Sequence, residues 1–220
     1  MIRCAVSIAL IAFASPALGR DCQFEKGEER WEVKTSIPSN ANVSAPKEVS
    51  LASLIALKNP KLSKDEVHAI EDTRWTSSIQ AKTPSGHNIE LREGDIVTVT
   101  GYAYRARCQK DGDFHMEIGS GPTRKSKCLI VEFPDPEEVH DSATNGMVKD
   151  ARDALANLDP SVYQSNPKKK PIKVTVTGQL FLDAPHIRAS DPSGGRGTLL
   201  NSGKHCASNL WELHPVLHLE

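Results

Sequence analysis

Residues 92–108 read REGDIVTVTGYAYRARC. A Gly94-Asp95 turn opens a run of period-two alternation that lasts from Ile96 to about Arg107. Val, Thr and Tyr in such alternation signal a β-strand. The run is long, and Gly101 stands near its middle. A glycine there suits a strand that must bend sharply to close a small barrel.

Further strands are expected on the C-terminal side. KDGD (Lys110–Asp113) turns the chain into FHMEI (Phe114–Ile118), and a Gly/Pro/Ser-containing loop leads to CLIVEFP (Cys128–Pro134). From Gly146 to Leu158, residues Met147, Ala151, Ala154, Leu155 and Leu158 recur at helical spacing. A basic loop, NPKKKP, precedes KVTVTGQLFLDAP (Lys173–Pro185). A long Gly/Ser-rich loop at 189–208 leads to NLWELHPVLHLE, the last strand. KDGD leaves no room for the helix a ferredoxin-like fold would put between its first two strands. The order resembles that of the OB-fold. The expected class is mainly β: a five-stranded OB-like barrel (β-β-β-α-β-β) with a mixed N-terminal extension.

The chain has 220 residues, 38% hydrophobic and 25% charged. Those proportions fit a folded globular protein and not a disordered, collagenous or polytopic membrane chain. Lys plus Arg is 27 and Asp plus Glu is 28, a net charge of -1. That argues against general attraction to nucleic acid. Aromatic residues at 5% argue against a base-stacking platform.

Residues 1–19, MIRCAVSIALIAFASPALG, carry one positive residue, an apolar run from Ala5 to Ala14, then Pro16 and small residues. That is the three-part pattern of a secretory signal, and the run is too short for a permanent span. Cleavage is expected after Gly19, with Ala17 as the alternative. The mature protein is expected to be secreted or periplasmic in a bacterium, without a membrane anchor. Residues 20–90 form the extension. RWEVKTS reads as a short strand and 37–48 as loop. SLASLIALKN reads as a helix ended by Asn59-Pro60. Ser63 with Glu66 caps a second helix to about Ile70, and DTRWTSSIQ reads as extended. The extension is too thin in apolar residues for a core of its own and is expected to pack on the barrel domain, residues 91–220.

Cys4 leaves with the signal. Cys22, Cys108, Cys128 and Cys206 remain, an even set that an exported chain pairs into two disulfides. Spacing alone leaves three pairings open. In an OB-like barrel the third and fifth strands run parallel, so their starts are neighbours. Cys128 opens the third and Cys206 precedes the fifth. Cys128–Cys206 is therefore expected, leaving Cys22–Cys108.

The phrases ERWEVKT, DGDFHMEI, IVEFPDP, VTVTGQLFLDAPH and LWELHPV occur in that order. Together they resemble a set of uncharacterised exported bacterial proteins. That set shares an ERW-x-VKT start, a D-x-D-x-H strand, an E-[FI]-P strand end and a closing E-[LI]-H-P-V. The resemblance implies an OB-like barrel and export, and it carries no activity. The 189–208 loop departs from many of them.

Side chains alternate across a strand. His115 and Glu117 lie opposite Phe114, Met116 and Ile118. Glu132 lies opposite Leu129, Val131 and Phe133. Glu212, His214 and His218 lie opposite Trp211, Leu213 and Leu217. In an OB-like barrel the second, third and fifth strands are adjacent. Asp113, His115, Glu117, Glu132, Glu212 and His214 are therefore expected to meet on one outer patch, the candidate binding site, next to Asp111. Two imidazoles among carboxylates suit a divalent metal at His115, Glu132 and His214 or general acid–base work. No other cofactor is expected. Polar-out alternation accounts for the same residues with no ligand at all. His186, His205 and Cys206 lack ligand spacing. Lys168–Lys170 with Arg188, Arg196 and Lys204 read as solvated loop or a phosphate-binding rim. GGRG at 194–197 neither follows a strand nor opens a helix as a phosphate loop must.

The favoured reading is an exported OB-like module that binds an unknown ligand or envelope partner on its barrel face. The alternatives are a metal-dependent, phosphodiesterase-like or nuclease-like hydrolase using the His/Glu cluster, and a structural envelope protein without a small ligand.

Overall fold

A computed structural model describes residues 30–123, 127–159, 162, 170–186, 199–200 and 204–220. In chain order the elements are α1 (Trp31–Thr35), β1 (Lys47–Glu48), α2 (Leu51–Ile55), α3 (Lys64–Ala69), β2 (Ile79–Lys82), β3 (Asn88–Leu91), β4 (Ile96–Cys108), β5 (Phe114–Gly119), β6 (Cys128–Phe133), α4 (Ser142–Ala156), β7 (Ile172–Leu182), β8 (Leu199–Leu200), β9 (Lys204–His205) and β10 (Ala207–Leu219). The expected signal segment, Cys22, GGRG, Arg188 and Arg196 lie outside the described residues.

Five strands close on themselves in the order β4-β5-β6-β10-β7 and back to β4. β10 runs parallel to β6, and the other pairings in the ring are antiparallel. With α4 between the third and fourth strands, this is an OB-like barrel. The length of β4 has a direct use. Ile96–Ala103 pairs with β7 and Tyr102–Cys108 with β5, so one strand serves two neighbours at opposite ends. Gly101 does more than permit a bend: a Cβ there would clash with Leu51 Cδ2 of α2. The glycine lets the extension pack onto the strand.

The alternation sorts as expected in β5 and β6. Met116, Ile118, Leu129, Val131 and Phe133 enter the main core. Tyr104, with Tyr102 beside it, faces a separate outer cluster with Cys128, Ile130, Cys206 and Ala207, and the register shift between Ala103 and Arg105 then turns Ala106, not Arg105, into the main core. A second shift lies between Leu213 and Val216 of β10. It changes the expected grouping, because Trp211 and Leu213 face the main core while Leu217 packs with Ile96, Val139 and Val148. Strand bulges of this kind re-aim side chains. Gly178 pairs with Val216 at the bulge, and a Cβ there would meet Pro215 O at 2.9 Å and Leu213 Cβ at 3.1 Å. Backbone cannot swing aside as a side chain can. Gly178→Ala should cost about 1–3 kcal/mol as overpacking, read by urea unfolding. A loss below 0.5 kcal/mol, on the scale of an ordinary surface change, would show that the bulge tolerates a methyl group.

RWEVKTS, expected as a strand, contains the helix α1. Val33 N–H and Lys34 N–H both donate to Arg30 O, at 3.0 and 2.9 Å. Trp31, Lys34 and Thr35 are buried, and residues at i, i+3 and i+4 share a helical face. The apolar spacing fits a strand as well, and tertiary docking decides between them. The expected helices α2 and α3 are present, α3 with the Ser63–Glu66 capping box. Only the end of DTRWTSSIQ forms a strand, β2, which pairs with β3. α4 starts earlier than its apolar spacing indicated, because Asp141 accepts from Thr144 N at 2.7 Å and caps it. The extension shares the barrel's core: Leu51, Leu54 and Ile55 belong to the same cluster as the inward strand residues.

Cys128 and Cys206 form the expected disulfide, at the paired starts of the parallel strands. Cys108 is disulfide-bonded too, and its expected partner, Cys22, lies outside the described residues. Among the described residues no helix is long and apolar enough to cross a membrane.

Candidate functional site

Three neighbouring strands build the site. β5 sets His115 directly across from Glu132 of β6. β10 sets Leu213 beside Val131, which brings the next residue, His214, to Glu132. The result is a row, His115–Glu132–His214, on the side of the strands facing away from the barrel core. His115 Nδ1–H donates to Glu132 Oε1 at 3.0 Å, and His214 Nε2 lies 3.4 Å from Glu132 Oε2.

The KDGD turn adds the acids. Gln109 N–H donates to Asp113 O at 2.8 Å, and Gly112 takes a φ of 82°, the left-handed region that glycine enters without strain. Asp113 Oδ2 accepts from His214 Nε2–H at 3.0 Å. Arg152 of α4 holds this turn, donating to Gly112 O at 3.0 Å and Phe133 O at 3.3 Å while lying over the Phe114 ring.

The patch was expected on the outside of the barrel. It faces outward, but it is buried: Asp113 and His214 are 0% exposed, Glu212 1%, Glu117 3%, and His115 and Glu132 7% each. Helix α1 is one of its covers. Lys34 O accepts from His214 Nδ1–H at 2.9 Å. The Lys34 ammonium stands 3.5 Å from both Asp111 Oδ2 and Asp113 Oδ2 and 4.7 Å from the Trp31 ring centre. Gln179 of β7 ties helix and bulge together, its Nε2 donating to Val33 O at 3.3 Å and to His214 O at 2.8 Å.

Charge follows from this packing. Both His214 nitrogens face acceptors, a carbonyl and carboxylates, so the ring is held as imidazolium. Burial and the Lys34 charge oppose that state, but the bond to Asp113 and the charges of Asp113 and Glu132 outweigh them and raise its pKa. Burial likewise disfavours ionised Glu132. The His115 hydrogen bond and the charges of His115, His214 and Lys34 still leave its carboxyl well below the ordinary value. Burial would lower Lys34, yet Asp113, Glu132, Asp111 and Glu212 hold it above its usual pKa. Asp111 is raised, by burial and by the charge of Asp113.

In the row and its turn, His115 Nε2 and Asp113 Oδ1 are buried without a hydrogen-bond partner among the described residues, as are Trp31 Nε1, Arg105 Nε and Arg107 Nε beside them. Such atoms are rare enough in proteins to need a reason. The compact group with metal-ligand spacing is Asp113, Glu132 and His214, whose ligand atoms lie within 4.8 Å of one another. It shares Glu132 and His214 with the expected trio. His115 bonds Glu132 through Nδ1 and serves as a support to it.

Other sequence candidates stand apart. His218 is exposed, 4.0 Å from Glu220. His186 pairs with Asp183 at 2.7 Å. Cys206 is spent on the disulfide. The sequence reading missed Lys34, and it missed Arg105 and Arg107, which β4 aligns with Glu117 and His115. Unbroken alternation from Val97, Val99 and Ala103 would have put both arginines on the core face, and the register shift between Ala103 and Arg105 is what aligns them with the outward acids. The signal for Lys34 lay in the ERWEVKT phrase itself. The quoted phrases supply the cluster, from Lys34 through Asp113, His115 and Glu132 to Gln179 and His214.

Fold and site thus define an OB-like barrel with a buried imidazole–carboxylate row on its outer face. Comparison with protein-family models, with curated proteins and with solved structures returns no match.

Proposed function

We propose that the protein is an exported OB-like binding module whose ligand engages the outer face of β5, β6 and β10. The observation that carries this reading is the buried row with two polar atoms, His115 Nε2 and Asp113 Oδ1, that have no partner among the described residues. A network evolved only for stability would gain by pairing or removing them. OB barrels bind their ligands on this part of the surface, although fold alone does not fix function. Export is supported by the N-terminal charge-and-apolar pattern and by the Cys128–Cys206 disulfide, since such bonds persist in oxidising compartments.

The imidazole resonances of His115 and His214 test the reading. They are followed by NMR during titration with zinc ions, inorganic phosphate, oligothymidylate and chitohexaose in turn. At least one probe should shift both rings, and His115→Phe, checked for folding by circular dichroism, should abolish that shift. Shifts from none of the four would overturn the reading in favour of a structural envelope protein.

One observation favours a second reading, a hydrolase. His115 Nδ1 is held by Glu132 while Nε2 has no hydrogen-bond partner among the described residues, the arrangement of a general base fixed by an orienting carboxylate. Turnover of bis-p-nitrophenyl phosphate with added manganese, lost in His115→Ala, would select it over simple binding.

A further inference from the structure

We infer that Asp113, Glu132 and His214 form a site for one divalent ion of the zinc class, with the Lys34 ammonium as its built-in competitor. This deepens the binding reading and rests on it, because the ion is a ligand of the same face.

Four-coordinate zinc with bonds near 2.1 Å sets its ligand atoms about 3.4 Å apart. His214 Nε2 lies 3.0 Å from Asp113 Oδ2 and 3.4 Å from Glu132 Oε2. The spacing therefore needs little adjustment. One imidazole and two carboxylates form a nitrogen–oxygen donor set that suits zinc or manganese. The supports are those a ligating residue has. A backbone carbonyl, Lys34 O, accepts from His214 Nδ1–H and leaves Nε2 toward the carboxylates, where an entering ion would displace the Nε2 proton to solvent. His115 holds the other oxygen of Glu132. Outer partners of this type fix ligand tautomer and orientation.

The independent pointer is Asp113 Oδ1. It is buried and without a hydrogen-bond partner among the described residues, on a side chain of 0% exposure. The bonds to His214 and Lys34 are both on Oδ2, which leaves Oδ1 as the carboxylate's open acceptor. The other group with ligand spacing, Glu117, Cys128 and Cys206, is ruled out because its sulfurs are bonded to each other and offer no thiolate.

Lys34 makes the inference specific. Its ammonium neutralises Asp113 from 3.5 Å and is equally distant from Asp111. A dication entering the triad repels it, and Asp111, nearer solvent, receives it with a small movement. Removing the lysine charge should therefore tighten metal binding.

The test is calorimetric titration of the full mature chain, stripped with a chelator, against zinc and manganese chlorides. The wild type should bind one ion. Asp113→Asn should weaken binding about 100-fold or more, loss of a ligand exceeding the 10–100-fold typical of an outer partner. Lys34→Met should strengthen it about tenfold, the effect of one like charge removed at close range. A gain of affinity cannot arise from misfolding, so Lys34→Met keeps the test decisive if Asp113→Asn unfolds. No binding at millimolar metal by folded wild type and folded Lys34→Met would overturn the metal site. Binding that Asp113→Asn leaves unchanged would also overturn it, placing the ion elsewhere. The broader binding reading fails separately, when phosphate, oligothymidylate and chitohexaose also leave both imidazoles unmoved.

Discussion

Replacement of Arg30 by methionine is expected to lower the unfolding free energy by about 3–5 kcal/mol, the cost of leaving one partner of a buried ion pair uncompensated. The arginine and Glu93 are 0% exposed in their side chains. All five guanidinium N–H groups have acceptors. Nη1 and Nη2 reach the two Glu93 oxygens at 2.7 and 3.0 Å. Nε donates to Ile70 O at 2.9 Å, Nη2 to Thr73 O at 2.7 Å, and Nη1 to Leu182 O. The guanidinium also lies 4.9 Å from the Phe181 ring centre. Glu93 in turn accepts from Leu182 N and Trp75 N. Methionine fills similar space but leaves Glu93 charged and buried with only those two backbone donors. Arg30 is also the residue from which α1 starts, at a φ of 54°, so its loss frees the cover of the site. Urea unfolding measures the cost, and the His214 imidazole resonance reports whether Lys34 O still accepts its proton. A loss under 1 kcal/mol would mean that the pair contributes nothing beyond a surface bridge. The double variant Arg30→Met/Glu93→Met should cost less than the two single changes together, because neither charge is then stranded.

Why the barrel was legible and its cover was not follows from the range of the forces involved. Strand identity in β4, β5, β6, β7 and β10 is written in period-two alternation, a local pattern. Strand order follows from a few topological rules once the helix is placed between the third and fourth strands. From that order the His115–Glu132 pairing and the Cys128–Cys206 disulfide follow by neighbourhood alone. Burial of the site does not, because it depends on where six residues far upstream come to rest. Arg30 finds Glu93 and Leu182, and Lys34 finds Asp113, across separations that no window of sequence contains. The one-residue bulge at His214 and Pro215 was hidden for a related reason. Alternation assumes an unbroken register, and the shift that sends Leu217 away from Leu213 appears only against β7. Polar residues on an outward face were therefore read as an outer patch, when α1 helps turn that face into an interior.

That interior makes Glu132→Gln the second costly change, expected to reduce stability by about 3 kcal/mol, near the lower end for breaking a buried charge pair. Glutamine keeps the shape and accepts from His115, but it removes the anion shared by His115, His214 and Lys34. The hydrogen bond from His115 and the surrounding charges hold Glu132 well below its usual pKa against the penalty of burial, so the folded state strongly prefers the ion. Asp113 is then left to face the His214 imidazolium, and shares the Lys34 ammonium with Asp111. Asp111 provides the contrast within the same cluster. Its side chain is 25% exposed, and burial and the charge of Asp113 raise its pKa, so the fold disfavours its ionised form. Asp111→Asn should therefore be neutral or slightly stabilising, within about 1 kcal/mol, although both residues are acids near the same lysine. Urea unfolding of both variants at neutral pH decides the point. Equal losses would show that the cluster responds to total charge, whereas a large loss confined to Glu132→Gln would show that it is organised around that one carboxylate.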